Sequence, residues 1–88
     1  MVREALNAVC ETFAGCETLA YADLSTKLVL ATNESNTRTQ DSLNTVCAEA
    51  TLLLGQGNFS IVGTKSGFRI FLRDIAQPTD GLICLCGL

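Results

Sequence analysis

The run Leu82-Ile83-Cys84-Leu85-Cys86, closed by Gly87, carries no polar side chain. Alternate residues of a strand point to opposite faces, so neither face of a strand built from this run favours water. Such a strand belongs inside a sheet, with other elements packed above and below it. The rest of the chain therefore has to supply two covering layers as well as neighbouring strands.

Two stretches have the helical period. Val2, Ala5, Leu6, Val9, Cys10 and Phe13 form an i, i+3, i+4, i+7 stripe that predicts a helix over residues 2–13, with Arg3, Glu4, Asn7 and Glu11 opposite. Gly15 is placed to end it in a left-handed conformation. Leu43, Val46, Cys47, Ala50, Leu53 and Leu54 share a face of a second helix over residues 41–54, opened by a cap at Thr39 or Asp41 and stopped by Gly55. Leu52 falls on the opposite side of this helix from Leu43. With Thr45 and Ala48 nearby, it suits either a solvated leucine or contact with another chain.

The remaining segments alternate. Residues 17–23 set Leu19 and Tyr21 against Thr18, Ala20 and Ala22, whose small side chains fit a closely packed element. A turn at 24–26 leads into a second strand at 27–32, followed by a polar connection at 33–40. Phe59–Thr64 and residues 68–74 read as a hairpin through Lys65-Ser66-Gly67, with the glycine expected to supply a positive φ. Residues 75–81, which include Pro78, make a turn before the apolar strand. The order αββαβββ predicts one α+β domain over residues 1–88. Its five-stranded, mainly antiparallel sheet carries one helix on each face, a profilin-like layering.

Composition narrows the function. Eighty-eight residues make one core, and 48% hydrophobic residues with a mean hydropathy of +0.32 favour some apolar surface made for a partner. A net charge of -3 and six scattered basic residues exclude the clustered cations that a nucleic acid needs. No apolar run approaches the roughly 20 residues of a membrane span, so no membrane insertion is expected. No signal-peptide core follows the N-terminus, and the expected location is cytoplasmic.

Without histidine, Ser-His and Cys-His nucleophiles are absent, and no carboxylate pair is evident for acid/base work. The chain reads as a non-enzyme without a cofactor. The five cysteines (Cys10, Cys16, Cys47, Cys84 and Cys86) fall mostly at apolar positions and read as small buried hydrophobes. A structural zinc site needs four ligands, which Cys84 and Cys86 reach only if the fold gathers the others. Gly55-Gln56-Gly57 follows a helix and lacks the Lys of a phosphate loop, so it is a turn. The sequons at Asn33-Glu34-Ser35 and Asn58-Phe59-Ser60 carry no meaning in a cytosolic protein.

Two candidate contact surfaces remain. In Phe59–Thr64, Phe59, Ile61 and Gly63 alternate with Ser60 and Val62, and an apolar edge strand of this kind is an aggregation hazard unless it is paired. Self-association through this strand follows from the residues alone. Arg69 and Arg73 flank Phe71 on one face of the next strand. That arrangement is either a solvated face, with arginine stems over the ring, or a patch of partner contacts.

Several of these segments together resemble the roadblock/LC7 family over nearly the whole chain. They are the first helix, the hairpin Leu19-Ala20-Tyr21-Ala22-Asp23 to Leu28-Val29-Leu30-Ala31-Thr32, the helix ending Leu52-Leu53-Leu54-Gly55, the two following hairpin strands, and Gly81-Leu82-Ile83-Cys84-Leu85. The resemblance implies a non-enzymatic homodimer whose third strands pair edge to edge, with the second helices side by side. It implies a Ras-like GTPase as a partner to be bound and regulated, or a dynein light chain or scaffold role. Against that family the chain reads as a short form without the third, C-terminal helix. The sheet face beside the first helix is then partly bare and can itself dock a partner. The rival readings are a small-ligand sensor of PAS or profilin-like architecture, holding an apolar ligand between helix and sheet, and a purely structural homodimer.

Overall fold

The computed structural model describes residues 2–12 and 15–87. The elements α1 (Val2–Thr12), β1 (Cys16–Asp23), β2 (Leu28–Thr32), α2 (Gln40–Leu54), β3 (Phe59–Thr64), β4 (Gly67–Arg73) and β5 (Asp80–Gly87) follow the predicted order. Phe13, the last residue of the predicted first stripe, lies outside the described residues. The strands form one sheet in the order β2-β1-β5-β4-β3, and every neighbouring pair is antiparallel. The apolar strand β5 is thus the central one, as a strand with no polar face requires.

Local chemistry sets the boundaries. Helix α2 starts one residue earlier than predicted because Thr39 is its cap: the Thr39 hydroxyl accepts a hydrogen bond from the Ser42 amide at 3.1 Å. Gly55 ends the helix at φ 52, with its amide bonded to the Thr51 carbonyl. Between β1 and β2 the Asp23 carboxylate accepts from the Ser25 hydroxyl at 2.6 Å and the Ser25 amide at 2.9 Å. These bonds hold the Asp23 carboxyl below its ordinary range, the hydroxyl contributing most. Gly67 does not adopt the positive φ expected of it. A Cβ there would collide with the Cys86 backbone carbonyl, so the close approach of β4 to β5, rather than the turn, asks for glycine.

One face of the sheet is closed. Ala20 and Ala22 of β1, Phe71 of β4, and Ile83 and Leu85 of β5 pack with Leu43, Val46, Cys47, Ala50 and Leu54 of α2 in the main core. The two alanines let the helix approach closely, as their size predicted. Leu53, expected on the same helix face, sits at its rim and is 46% exposed. It lies about 100° around the helix from Leu54, which takes the buried position. Asn33 is also buried and fully engaged. Its Oδ1 accepts from the Leu19 amide at 3.0 Å, and its Nδ2 donates to the Ser35 hydroxyl at 2.7 Å and the Glu17 carbonyl at 3.3 Å. This amide latches the exit of β2 onto β1, so the first sequon offers no free acceptor.

The other face is only half covered. Helix α1 packs on β1 and β2, burying Leu6 and Cys10 against Leu19. Arg3 Nε donates to the Thr32 carbonyl at 3.2 Å and the Asn7 side-chain oxygen accepts from the Glu34 amide at 2.7 Å, which ties the helix to that side. The sequence predicted cover on both faces of the final strand. Ile83 and Leu85 have it, whereas Leu82, Cys84 and Cys86, facing the α1 side, remain partly exposed. The cause is placement: α1 lies over the β1–β2 half of the sheet and leaves the rest of that face uncovered by any described residue.

Candidate functional site

The uncovered half-face forms a groove of about 490 Å³. Val2, Ala5, Leu6 and Val9 of α1 make its wall, and its floor comes from Leu19 and Tyr21 of β1, Leu82 and Cys84 of β5, and Phe68, Ile70 and Leu72 of β4. Cross-strand partners share a face, and β3 pairs Phe59 with Leu72 and Ile61 with Ile70. The apolar floor therefore continues to the sheet edge, where Phe59 and Ile61 are 58% and 57% exposed. A contiguous apolar surface of this extent is a feature of contact sites. The part of the α1 stripe that does not reach the core (Val2, Ala5 and Val9) is exposed along the same groove.

One end of the groove is polar. Tyr21 Oη lies 2.9 Å from Asp80 Oδ2 and 3.0 Å from Asp74 Oδ2 and donates to this pair of acceptors. The Asp80 bond, then burial, then the Asp74 bond hold the phenol above its ordinary pKa range. The turn between β4 and β5 brings the two carboxylates together, with the Asp74 amide bonded to the Asp80 carbonyl at 2.9 Å. Sequence reasoning saw no such pair because five residues separate them and nothing in the local pattern reports the turn that closes. The phenol clasps the turn to β1.

Four thiols also gather on this side. Burial, and after it the Cys16 sulfur, pushes Cys10 up to about 11. Burial, and after it Cys86, takes Cys84 to about 11 as well. Cys47, beneath α2 on the opposite face, is raised by burial. Among the described residues no three His, Cys, Asp or Glu side chains surround a point that a metal ion could occupy.

The predicted contact residues divide into two groups. On α2, Thr45 and Leu52 are exposed and Ala48 is half-buried; Leu52, at 81%, is one of the most exposed apolar side chains. On β3, Phe59, Ile61 and Gly63 face the groove side, while Ser60 and Val62 face α2, with Val62 packed against the core. Helix α2 packs on β3, while Phe59, Ile61 and Gly63 point to the face opposite it.

The Arg69, Phe71 and Arg73 patch is corrected by the structure. Phe71 is 0% exposed and belongs to the core. Arg69 Nη1 pairs with Glu49 of α2 at 2.7 Å. The Arg73 guanidinium donates to the Gly55, Pro78 and Gly57 carbonyls at 2.7, 2.8 and 3.1 Å. These side chains hold α2 and its exit loop, so the ring has no surface to offer a partner. Alternation placed the three residues on one face, but only the packing shows that this is the closed face. The set on β4 that lines the groove is the complementary one, half-buried Phe68 and Ile70 and exposed Leu72, and the same alternation was its signal.

No family model matches the sequence, and no curated protein matches it. A search of solved structures finds a likeness to the crystal structure of a roadblock/LC7 domain from Streptomyces avermitilis. The TM-score is 0.72 over 97% of this chain and 77% of that one, at 13% identity. The fold is that of a roadblock/LC7 domain. At this identity the likeness covers the backbone: the order and layering of helices and strands in the roadblock fold match, and the side chains of the groove are this chain's own. No helix of the described residues is long and apolar enough to cross a membrane.

Proposed function

We propose that this chain is a non-enzymatic interaction module that acts as a homodimer, joined through β3 and flanked by α2. The observation that carries the reading is the difference between the two edges of the sheet. The β2 edge is closed by side chains of α2: the Val29 amide donates to Asn44 Oδ1 at 3.0 Å, and the Val29 carbonyl accepts from Gln40 Nε2 at 2.9 Å. At the β3 edge, no side chain among the described residues bonds to the backbone of Phe59–Thr64; apolar exposure is similar at the two edges, with Leu30 of β2 at 59% and Phe59 of β3 at 58%, so the backbone bonds make the difference. An edge left open in this way is suited to pairing with another strand. An antiparallel pair of β3 strands about a two-fold axis extends the sheet through Phe59, Ser60, Ile61, Val62 and Gly63 and brings Thr45, Ala48 and Leu52 of the two α2 helices alongside each other. The regulated partner to try first is a Ras-like GTPase, which the family resemblance implies, with the dimer serving as a cytosolic regulator or scaffold.

Light scattering after size exclusion tests the dimer. The wild-type chain should elute at twice 9.4 kDa. Ile61→Lys should give monomer or precipitate, and Leu52→Glu should weaken the dimer without unfolding it. A dimer unchanged by Ile61→Lys removes β3 as the interface.

The groove supports a second reading, a sensor for a small apolar ligand, since 490 Å³ lies in the range of small-molecule sites. Native mass spectrometry separates the two, because a bound small molecule favours the sensor and an empty dimer favours the module.

A further inference from the structure

Four cysteines distant in sequence meet on the α1 side of the sheet. Cys10 closes the inward face of α1, Cys16 begins β1, and Cys84 and Cys86 lie on β5, whose register sets Cys86 opposite Cys16. Their sulfurs touch in succession. Cys10 Sγ is 2.7 Å from Cys16 Sγ, Cys16 is 3.6 Å from Cys84, and Cys84 is 3.4 Å from Cys86. The last two distances are ordinary contacts between thiols. The first is clearly shorter, roughly 0.7 Å longer than a sulfur–sulfur bond of about 2.05 Å. No metal-binding group of three is found among the described residues. The arrangement suits a bond between two neighbours rather than an ion among four.

We propose that Cys10 and Cys16 are a modification site, a reversible dithiol–disulfide pair that exchanges with a low-molecular-weight disulfide such as oxidised glutathione. Access decides the order of events. Cys10 is buried and borders only a hollow of about 320 Å³ beside Asn7 and Glu34, whereas Cys16 is partly exposed and lines both that hollow and the groove. The Cys16 thiolate attacks one sulfur of the small disulfide, that disulfide bond breaks, and the first glutathione leaves as a thiolate that takes up the proton Cys16 lost. The Cys10 thiolate then attacks the Cys16 sulfur of the mixed disulfide. The second glutathione leaves, taking up the proton from Cys10. Two protein thiols have been oxidised and one oxidised glutathione reduced to two thiols, so electrons and protons balance. The bond ties the last turn of α1 to the first residue of β1, at the foot of the groove wall.

Peptide mapping tests the pairing. Native protein is equilibrated in glutathione buffers of increasing oxidised fraction, quenched in acid, unfolded, alkylated and digested with trypsin. Cleavage after Arg3 and Lys27 releases residues 4–27 with Cys10 and Cys16, and cleavage after Arg73 releases residues 74–88 with Cys84 and Cys86. The expected product is peptide 4–27 lighter by two hydrogens and closed to alkylation, beside a fully alkylated peptide 74–88. This closure should need a smaller oxidised fraction in native buffer than in urea, because the fold holds the two sulfurs together. The Cys10→Ser variant should stop at Cys16 joined to glutathione. Cross-linking of peptide 4–27 to peptide 74–88, or a midpoint no different in urea, overturns the proposal. So does peptide 4–27 alkylated at both cysteines in every buffer.

Discussion

The two faces of the one sheet are built from the same alternating strands and end in opposite states. On the α2 side, a 15-residue helix crosses small residues and closes a core in which Phe71, Ile83, Ala20 and Ala50 have no exposed surface. On the α1 side, an 11-residue helix sits over one half of the sheet and buries two of its residues. Apolar side chains are supplied to both faces, so hydrophobicity alone does not distinguish them. What differs is the cover. Buried packing is therefore concentrated on the α2 side, and the open apolar groove lies on the α1 side.

The comparison breaks most directly at Phe71. Phe71→Ala removes a fully buried ring and should cost about 3–5 kcal/mol, a large share of the stability of roughly 5–15 kcal/mol typical of a domain. Urea unfolding checks this, and a loss below about 1 kcal/mol means that the α2 side is not the main core. A smaller effect is expected with pH. Cys10 and Cys84 on the open side are raised from 9.0 to about 11, so folding favours their neutral thiols. The stability they contribute is fully present below pH 9 and is lost as pH rises towards 11. Thermal melts across that window should show the decline, and it should flatten in Cys10→Ser; an equally steep decline in that variant assigns the effect to other groups. Least of all should follow from Leu72→Ser on the groove floor, where the residue is already 39% exposed. Its cost should stay within about 1 kcal/mol while the binding of an apolar fluorescent dye falls. Unfolding by this substitution would show that the open face is as much a core as the closed one.

The pattern of these residues made a good part of the fold legible. The central place of β5 followed from Leu82 to Cys86 having no polar position, and the close seat of α2 followed from Ala20 and Ala22. The exposure of Leu52 followed from its angle around the helix, and the exposed edge from Phe59 and Ile61. These are local signals, and the period of the side chains reports them directly. The Phe71 patch illustrates the limit: alternation grouped Arg69, Phe71 and Arg73 on one face but carried no sign of whether that face pointed to a helix or to solvent. The Tyr21–Asp74–Asp80 clasp and the succession of four sulfurs depend on β1 pairing with β5, two strands that are far apart in the chain.

The sequence by itself therefore determined the elements, their order and which residues share a face, because these depend on spacings of a few residues. The tertiary structure alone decided which alternating set of β4 lies on the closed face, how far each helix covers the sheet and which thiols meet. Those outcomes depend on where α1 and α2 come to rest on the sheet and on the long-range pairing of β1 with β5, a balance of packing across the whole domain that no short window of sequence contains.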